Sequence, residues 1–458
     1  LQRQPNRNSY IRRITAVKLW EKQFMRMTDI IEKKRDRKEL TNGEIEFFVS
    51  GVTDKSIPDY QISALLMAIL LNGMSKRETL SLTLSMARSG DMLDLSPLTH
   101  TADKHSTGGV GDKTTLIAAP LAAALGCTVA KMSGRGLGFT GGTVDKLEAV
   151  TGYKTSLDIS SFKENAAKYG MCVVGQSGNF APADKRLYAI RDVTATVNSI
   201  PLIASSIMSK KLAAGAETIV LDVKCGSGAF MKTPEDAETL AREMVEIGKG
   251  TGRNTSALIT DMDIPLGFAV GNALEVKEAV SVLCGNGPDD LTELCIALAS
   301  QMYSQSFKKS ESESIEAAKA ALKNGSAFEI FKNAVSAQGG DEKLLTGEHS
   351  FTAPDGSKEV FARESGYIMH MDSELIGKAA VISGAGRETL DDKIDPSAGI
   401  VLDKKYGDYV NHGDRIATVY GKKERLNEAA AELLTAYRFG NEKPPKRPII
   451  YKTVGNKE

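Results

Sequence analysis

The sequence predicts an α/β fold with three parts: a small all-α domain, a larger α/β domain with a mainly parallel sheet, and a C-terminal α+β module. Three observations predict this. Residues 25–90 show helical periodicity. From residue 91 to about residue 350, short runs rich in β-branched residues alternate with helical runs. From about residue 351, short strands and turns follow one another in a hairpin-like pattern.

The predicted α domain is discontinuous in sequence. Residues 54–59 have the composition of a turn that precedes a helix start, and a broad apolar run follows. Ser75 and Glu78, three residues apart, match a capping box for the next helix. Residues 183–213 return to helical character. The α domain is therefore predicted to comprise 25–90 and 183–213.

The predicted α/β domain comprises 91–182 and 214–350. Its short, β-branched-rich runs, bounded by glycine or polar turns, lie at 127–132, 218–223 and 257–260. Helical runs between them lie at 116–125 and 235–247. Strands that alternate with helices indicate a parallel sheet covered by helices. Residues 305–350 are polar and helix-rich, with Gly339–Gly340 as a break.

The C-terminal module is predicted over 351–458. Residues 401–402 and 416–420 flank a turn-rich run that contains two Gly-Asp pairs. This pattern indicates antiparallel hairpins and is similar to a lipoyl-like hairpin fold. The segment has no Met-Lys-Met carrier site, so we interpret the module as structural.

The first 24 residues differ in composition from the rest. They carry many basic side chains and a single acidic one, Glu21. They lack the apolar core of a secretory signal, although an Arg-rich, acid-poor segment resembles a transit peptide. We interpret 1–24 as a non-native or upstream extension before a start at Met25 or Met27.

The composition excludes several classes of partner. Among the 458 residues, 58 Lys and Arg balance 58 Asp and Glu, and 41% are hydrophobic. Neither a nucleic acid nor a membrane surface is indicated, so any anion site must be local. The five cysteines are odd in number and show no C-x-x-C spacing, as in a cytoplasmic protein with reduced thiols.

A first glycine-rich constellation spans 103–115 and precedes a helical run. Lys104 supplies a charge, Ser106 and Thr115 supply hydroxyls, and the glycines let backbone N–H groups approach an anion. A P-loop ending at Lys113 would need glycine at positions 107 and 112, which hold Thr and Asp. Phosphate is therefore the predicted guest, but not within a P-loop.

A second constellation follows a predicted strand and opens a helix. Lys131, Ser133 and Thr143 duplicate the phosphate chemistry of the first loop. Gly136, Gly138 and Gly141 also match G-x-G-x-x-G, with Asp158 further along, so a dinucleotide site stays open as an alternative. Two such loops indicate one anion held between two strand ends.

A third constellation lies in the second helical segment. Tyr188 and Arg191 are three residues apart, and Ser206 and Lys210 are four apart, so each pair shares a helical face. An aromatic ring, two cations and a hydroxyl suit a flat heterocycle that carries carbonyl groups. From spacing alone, a solvated basic face of an amphipathic helix is the favoured interpretation.

Four segments together resemble the pyrimidine-nucleoside and thymidine phosphorylases. The specific motif is Ser133-Gly134-Arg135-Gly136-Leu137, which leads to the run from Gly141 to Glu148. The resemblance extends from Met25 through the C-terminal module, and its four segments are 104–116, 133–148, 176–215 and 221–232.

The resemblance implies a reaction and its site residues. The reaction is phosphorolysis of uridine, deoxyuridine and thymidine to the free base and (deoxy)ribose 1-phosphate. His105 matches a proton donor to the base. The positions that match phosphate ligands are Lys104, Ser106, Thr115, Lys131, Ser133 and Thr143. The positions that match base-binding residues are Tyr188, Arg191, Ile203, Ser206 and Lys210, and Arg191 and Lys210 stabilise the charge on the leaving base.

The resemblance also implies a structural potassium ion, no organic cofactor, phosphate as co-substrate and a homodimer built through the α domain. The matching ion ligands are main-chain carbonyls and one carboxylate, at Gly111, Lys113, Leu266, Ala269 and Glu278. Lys113 departs from the expected residue, and its ammonium would weaken binding of a neighbouring cation. Phe139 replaces an expected histidine in the motif.

Three other functions are weighed against phosphorolysis. An anthranilate-type phosphoribosyltransferase would use magnesium, phosphoribosyl diphosphate and an acidic pair, but Asp222 is followed by Val223 and Lys224. A catalytically silent nucleoside-binding protein would not need His105, Arg191 and Lys210 together. A dinucleotide oxidoreductase would bind a nicotinamide or flavin cofactor.

Overall fold

The protein is described by a computed structural model that covers residues 25–136, 141–176, 179–387 and 392–455. The extension at 1–24 lies outside the described residues. The chain forms two compact units, one within 1–93 and 178–215, the other within 94–177 and 216–458. The predicted helical segments 25–90 and 183–213 both lie in the first unit.

The helices of the described residues are Met27–Arg35 (α1), Asn42–Thr53 (α2), Asp59–Asn72 (α3), Lys76–Ala87 (α4), Thr114–Ala124 (α5), Thr143–Glu148 (α6), Ile159–Tyr169 (α7), Pro182–Val193 (α8), Ile200–Ala214 (α9), Pro234–Gly250 (α10), Asn272–Leu283 (α11), Asp289–Phe307 (α12), Glu311–Lys323 (α13), Ser326–Ala337 (α14), Lys343–Thr346 (α15), Ser373–Ser383 (α16) and Leu426–Thr435 (α17). The strands are Ala102–Ser106 (β1), Val129–Ser133 (β2), Met171–Gly175 (β3), Thr218–Cys225 (β4), Asn254–Asp261 (β5), Ala269–Val270 (β6), Gly356–Phe361 (β7), Gly366–Met371 (β8), Gly399–Leu402 (β9), Tyr409–Val410 (β10), Arg415–Gly421 (β11), Tyr437–Gly440 (β12) and Ile450–Val454 (β13).

The first unit is helical, and its core contains side chains from both sequence segments. The predicted capping box is confirmed, because Ser75 caps α4 and the Glu78 carboxylate accepts a hydrogen bond from the Ser75 backbone N–H. The same carboxylate accepts the Lys34 ammonium at 3.0 Å and the Leu40 backbone N–H at 2.8 Å. Glu78 therefore joins three segments of the unit through one buried side chain.

The second unit contains the predicted parallel sheet. Strands β1, β4 and β5 pair in parallel, and β2 pairs in parallel with β3. Every residue of β4 is buried, as expected for a central strand covered by helices on both faces. Helix α12 packs on β4 and on α5, so the helices that alternate with the strands cover the sheet.

The C-terminal residues form two antiparallel sheets, as the hairpin pattern predicts. One has the order β10-β8-β12 and the other the order β6-β9-β11-β7. Two strands cross the predicted boundary at residue 351. Strand β13 pairs with β5 at the edge of the main sheet, and β6 pairs with β9. The module is thus joined to the α/β part by shared sheets.

Within the residues that the structure describes, no helix is both long and apolar enough to cross a membrane.

Replacing Glu78 by Ala is expected to lower the free energy of unfolding of the helical unit by about 3–5 kcal/mol, because it leaves the buried Lys34 ammonium unpaired. Glu44, which occupies the same position in the capping box of α2, provides the matched control. Its replacement by Ala is expected to cost about 1 kcal/mol. Urea denaturation measures both variants, and equal losses would contradict the role given to the buried pair.

Candidate active site

The first glycine-rich loop joins β1 to α5. Strand β1 ends at Ser106, whose hydroxyl accepts a hydrogen bond from the Gly108 backbone N–H at 3.2 Å. Thr115 lies in the first turn of α5 and is buried. A strand end, a loop with glycine at positive φ and a helix start follow one another here, which is the arrangement that the sequence predicts for an anion site.

The second glycine-rich loop joins β2 to α6. Strand β2 ends at Ser133, and Thr143 is the first residue of α6. A parallel bridge joins Thr101 to Thr128, and each serine lies five residues beyond one of these threonines. The two parallel strands therefore end at corresponding positions, which places both loops at the same edge of the sheet.

The two lysines of these strands are buried and paired. Lys104 is 1% exposed and Lys131 is 2% exposed. The Lys131 ammonium lies 3.1 Å from the Asp103 carboxylate and also donates to the Lys104 carbonyl. The Lys104 ammonium lies 3.3 Å from the Asp222 carboxylate. Because Ser106 and Ser133 are only half-buried, the hydroxyls are more accessible to an anion than the lysines.

Asp222 is the buried acid between two lysines of the sheet. It is fully buried, accepts the Thr260 hydroxyl at 2.7 Å and lies 2.9 Å from the Lys224 ammonium. Burial opposes protonation of Lys224, but Asp222 and then Asp112 raise its pKa above the usual value. The group thus stays charged inside the sheet.

Asp112 belongs to the same charged cluster. Its carboxylate accepts the Thr114 hydroxyl at 2.6 Å and lies 3.8 Å from the Lys104 ammonium. Burial alone would raise the pKa of this carboxyl, but three neighbouring lysines, Lys104 above all, hold that pKa well below its usual range. Asp112 is therefore an anion that orients the start of α5.

The charged residues of the motif hold the loops in place. Lys146 donates to the Asp112 carbonyl at 2.7 Å and to the Gly141 carbonyl at 3.1 Å, and so links the two glycine-rich loops. Its ammonium also lies 3.0 Å from the Glu275 carboxylate. The Asp145 carboxylate accepts the Gly136 backbone N–H at 2.6 Å. Through these contacts, Lys146 and Asp145 of the motif hold the two glycine-rich loops in position.

His105 lies on β1 between Lys104 and Ser106. Because side chains alternate along a strand, its imidazole projects from the opposite face of β1 to those two side chains. It is half-buried. The imidazole of this predicted proton donor therefore lies on the other face of β1 from Lys104 and Ser106, the predicted phosphate ligands of the same strand.

In the helical unit, Ser206 and Lys210 share a face of α9, as their spacing predicts. The Lys210 ammonium donates to the Ser206 hydroxyl at 3.1 Å and to the Asp184 carboxylate at 2.6 Å. Asp184 lies in the first turn of α8 and is buried. Ile203 lies one turn before Ser206 on α9 and is half-buried. The carboxylate fixes the lysine at its position.

Arg191 is buried near the end of α8. Its guanidinium donates to the carbonyls of Thr196, Val197 and Leu202, at 3.3, 2.7 and 3.2 Å. It also lies 5.8 Å from the centre of the half-buried Tyr188 ring. Burial lowers the pKa of Arg191 from its usual value. Three of the five N–H donors of the guanidinium are thus used on carbonyls of the described residues.

Lys113, at the start of α5, is fully buried. Its ammonium donates to the Leu266 carbonyl at 2.9 Å, to the Ala269 carbonyl at 2.8 Å and to the Glu278 carboxylate. Its backbone N–H donates to the Gly111 carbonyl at 2.9 Å. The lysine therefore contacts each of the other four positions that the resemblance gives for a potassium ion.

Comparisons with known proteins match the chain almost throughout. A family model described as glycosyl transferase family, helical bundle domain, matches residues 28–90, and glycosyl transferase family, a/b domain, matches residues 98–328. Pyrimidine nucleoside phosphorylase C-terminal domain matches residues 367–440. Pyrimidine-nucleoside phosphorylase of Bacillus subtilis is 53% identical over 428 residues, which are 92% of this chain and 98% of that protein. The chain belongs to the pyrimidine-nucleoside phosphorylase family.

A second member of the family, from Geobacillus stearothermophilus, is 50% identical over 432 residues, which are 94% of this chain and all of that protein. Among solved structures, anthranilate phosphoribosyltransferase from Thermus thermophilus superposes with a TM-score of 0.56 at 19% identity, over 67% of this chain and 98% of that chain. The latter likeness shows a shared fold.

The potassium position that the family resemblance implies does not fit a separate ion in this chain. The Lys113 ammonium uses its three N–H donors on the oxygens that would bind the ion. A second cation on the same oxygens would lie within about 4 Å of the ammonium and would be repelled by about 4 kcal/mol in a protein-like dielectric. The oxygens that would coordinate the ion thus already accept hydrogen bonds from the ammonium.

Asp158, the acid of the possible dinucleotide fingerprint, is exposed and caps α7 by accepting the Ser161 backbone N–H at 2.9 Å. It therefore has a structural role, which removes one support for the dinucleotide alternative. Phe139 and Gly138, the second glycine of the G-x-G-x-x-G pattern, lie outside the described residues.

Sequence reasoning did not assign several residues that the structure places beside the predicted site residues of each unit. They are the acids Asp103, Asp112, Asp184, Asp222 and the lysines Lys146 and Lys224. A signal existed for two of them: Asp222 and Lys224 interrupt an apolar strand, and buried charges in a strand need partners.

Replacing Asp112 by Asn is expected to destabilise the α/β unit by about 3–5 kcal/mol near neutral pH, because Lys104 and Lys224 lose a buried counter-charge. The pKa of Asp112 is lowered by folding, so its stabilisation is fully present above the unfolded pKa of about 4 and is lost as the pH falls below it. Denaturation curves between neutral and acidic pH should therefore converge for the two proteins. A difference that does not depend on pH would contradict this electrostatic role.

Proposed function

We propose that the chain catalyses phosphorolysis of pyrimidine nucleosides, with inorganic phosphate as co-substrate. An oxygen of phosphate bonds to the anomeric carbon of the sugar while the bond from that carbon to the base breaks, and the base leaves with the electron pair. The products are the free pyrimidine and (deoxy)ribose 1-phosphate. The observation that carries the proposal is about 50% identity to pyrimidine-nucleoside phosphorylases over about 90% of the chain.

The duplicated strand ends support phosphate as the nucleophile. Lys104-His105-Ser106 and Lys131-Met132-Ser133 end two parallel strands, and each is followed by a glycine-rich loop. Serine hydroxyls and loop N–H groups can donate to phosphate oxygens, while the buried lysines contribute positive charge. We assign phosphate to these residues and to Thr115 and Thr143, the first-turn hydroxyls of α5 and α6.

The cationic groups of the helical unit support the pyrimidine as leaving group. Negative charge builds on the base as the bond to the sugar breaks. Donors fixed in advance on the carbonyl edge of the base stabilise that charge without reorganisation. Arg191, Ser206 and Lys210 are such donors, since other contacts hold Arg191 and Lys210 in place. Tyr188 and Ile203 are assigned to the faces of the ring, and His105 to proton donation.

The competing phosphoribosyltransferase function would require an acid that is free to hold magnesium. Asp222 is instead fully buried between Lys104 and Lys224 and accepts the Thr260 hydroxyl. This favours phosphorolysis. The deciding assay measures base release from uridine, deoxyuridine, thymidine and inosine with phosphate, and compares it with magnesium plus phosphoribosyl diphosphate. Binding of uridine without release of uracil would leave only a nucleoside-binding protein.

Replacing Arg191 or Lys210 by Ala is expected to lower kcat by about 10²–10³, because each removes one donor to the developing charge. Replacing His105 by Ala should cost less, since a pyrimidine anion can leave without full protonation. Lys185, an exposed cation on the same helix as Arg191, provides the control. Initial rates with uridine and circular dichroism of each variant measure the effects. Unchanged turnover after replacement of Arg191 or Lys210 by Ala would contradict the role proposed for that residue.

We further propose a homodimer built through the helical unit. Tyr60, Met67 and Leu71 are exposed at 75%, 36% and 74% and recur at helical spacing on one face of α3. Exposed apolar side chains in a row indicate an interaction surface. Light scattering of the purified protein at micromolar concentration should give twice the mass of the chain; a monomer would contradict the proposal.

A cytoplasmic location is also proposed. The five cysteines are free thiols, and four of them are buried. Burial raises the pKa of Cys127 and of Cys172 to about 12, so these thiols remain protonated and unreactive. Thiol counting after extraction from cells should find all five cysteines reduced, and disulfides between them would contradict this location.

A further inference from the structure

The Lys113 ammonium contacts the oxygens that, by the family resemblance, would bind a potassium ion. The side chain is fully buried, and its charge faces one carboxylate, that of Glu278, and two main-chain carbonyls, those of Leu266 and Ala269. A potassium ion and an ammonium carry the same single charge and are both held by oxygen donors. The lysine and the ion would therefore satisfy the same set of acceptors.

We propose that Lys113 replaces the potassium ion by a covalently attached cation, so that this protein needs no monovalent metal for its stability or its turnover. The part that concerns stability does not depend on the proposed phosphorolysis, because it concerns how one charge is supplied to the fold; the part that concerns turnover rests on that proposed function. The Glu278 carboxylate and the two carbonyls require a positive charge, and the lysine provides it from within the chain.

The acceptor geometry matches an ammonium. A lysine has three N–H donors, and three oxygens receive them. The other contacts of Glu278 are also satisfied, since its carboxylate accepts the backbone N–H of Phe268 at 2.8 Å and that of Ala269 at 3.2 Å. Hence, within the described residues, the ammonium, the two carbonyls and the carboxylate have partners without an added ion.

The attached cation joins three segments of the α/β unit. Lys113 directly precedes α5; Leu266 follows β5, and Ala269 begins β6; Glu278 lies on α11. Gly111, in the first glycine-rich loop, packs so closely that an added Cβ would lie 2.6 Å from the Leu266 carbonyl. Loss of the charge should therefore loosen the loop as well as the local packing.

An ion could reach this position if the side chain were shortened. A cavity of about 470 Å³ is lined by Phe268, Ala269, Lys277 and Glu278 among others. The Glu278 side chain is 10% exposed. Removing the lysine chain would thus leave an acidic, carbonyl-lined space close to solvent, which makes recovery of a potassium requirement testable.

The first measurement uses the unmodified protein. Thermal melting and phosphate-dependent uracil release are measured in potassium-free buffer with about 100 mM choline chloride and again with potassium chloride at equal ionic strength. Tm should agree within about 1 °C and rates within about twofold. A saturable rise in Tm or rate that potassium alone produces would overturn the proposal.

The second measurement compares two substitutions. Lys113→Ser removes the charge and leaves space, whereas Lys113→Met removes the charge and fills the space. Both should melt at lower temperature in choline chloride. Potassium chloride should raise the Tm of the Ser variant by several degrees through binding to the folded state, and should leave the Met variant unchanged.

Three outcomes of this comparison would overturn the proposal: a Ser variant as stable as the parent without potassium, a Ser variant that potassium does not stabilise, or equal rescue of the Met variant. If the Ser variant does not fold in either salt, the potassium titration of the unmodified protein decides alone. Because Tm is read without substrate, failure here and failure of the proposed phosphorolysis are distinguishable.

Discussion

Burial of charge inside the parallel sheet is the constraint on which the α/β unit depends. Lys104, Lys131 and Lys224 lie in the interior, where an isolated ammonium would be strongly disfavoured. Each is matched by a carboxylate, and Asp222 serves two of them. Because these acids come from strand and loop positions, the ion pairs fix the strand ends and loops relative to one another. Positive charge is thereby built into the fold at the strand ends that precede both glycine-rich loops.

Most of the architecture could be predicted from periodicity. The α/β alternation, the capping box at Ser75 and the hairpins of the C-terminal module follow from local patterns, and the structure contains them. The predicted strand 218–223 continues to Cys225, because Asp222 pairs with Lys224 and lets a charged residue stay within the strand. Pairing of β13 with β5 could not be predicted, since no local pattern specifies a partner so distant in sequence.

The candidate site was predictable where its residues are neighbours on one helix. Ser206 and Lys210 meet as their four-residue spacing indicates. Asp184, their partner, belongs to another helix, and helical spacing does not reveal it. The contact between Lys113 and Glu278 spans 165 residues. From sequence, Lys113 could be identified as a departure from the expected pattern, but its role depends on which oxygens the fold brings to its ammonium.

The carbonyl contacts of Arg191 have a consequence for recognition. A free arginine side chain loses about 2 kcal/mol of rotamer entropy when it is immobilised. Here the guanidinium is immobilised when the chain folds, since carbonyls of Thr196, Val197 and Leu202 hold it before any ligand arrives. A ligand that meets its remaining N–H groups therefore encounters a rigid, preorganised edge. Under the proposed base-binding role, such an edge would discriminate by the shape and spacing of carbonyl groups, because it could not adjust to a ligand that presents them elsewhere.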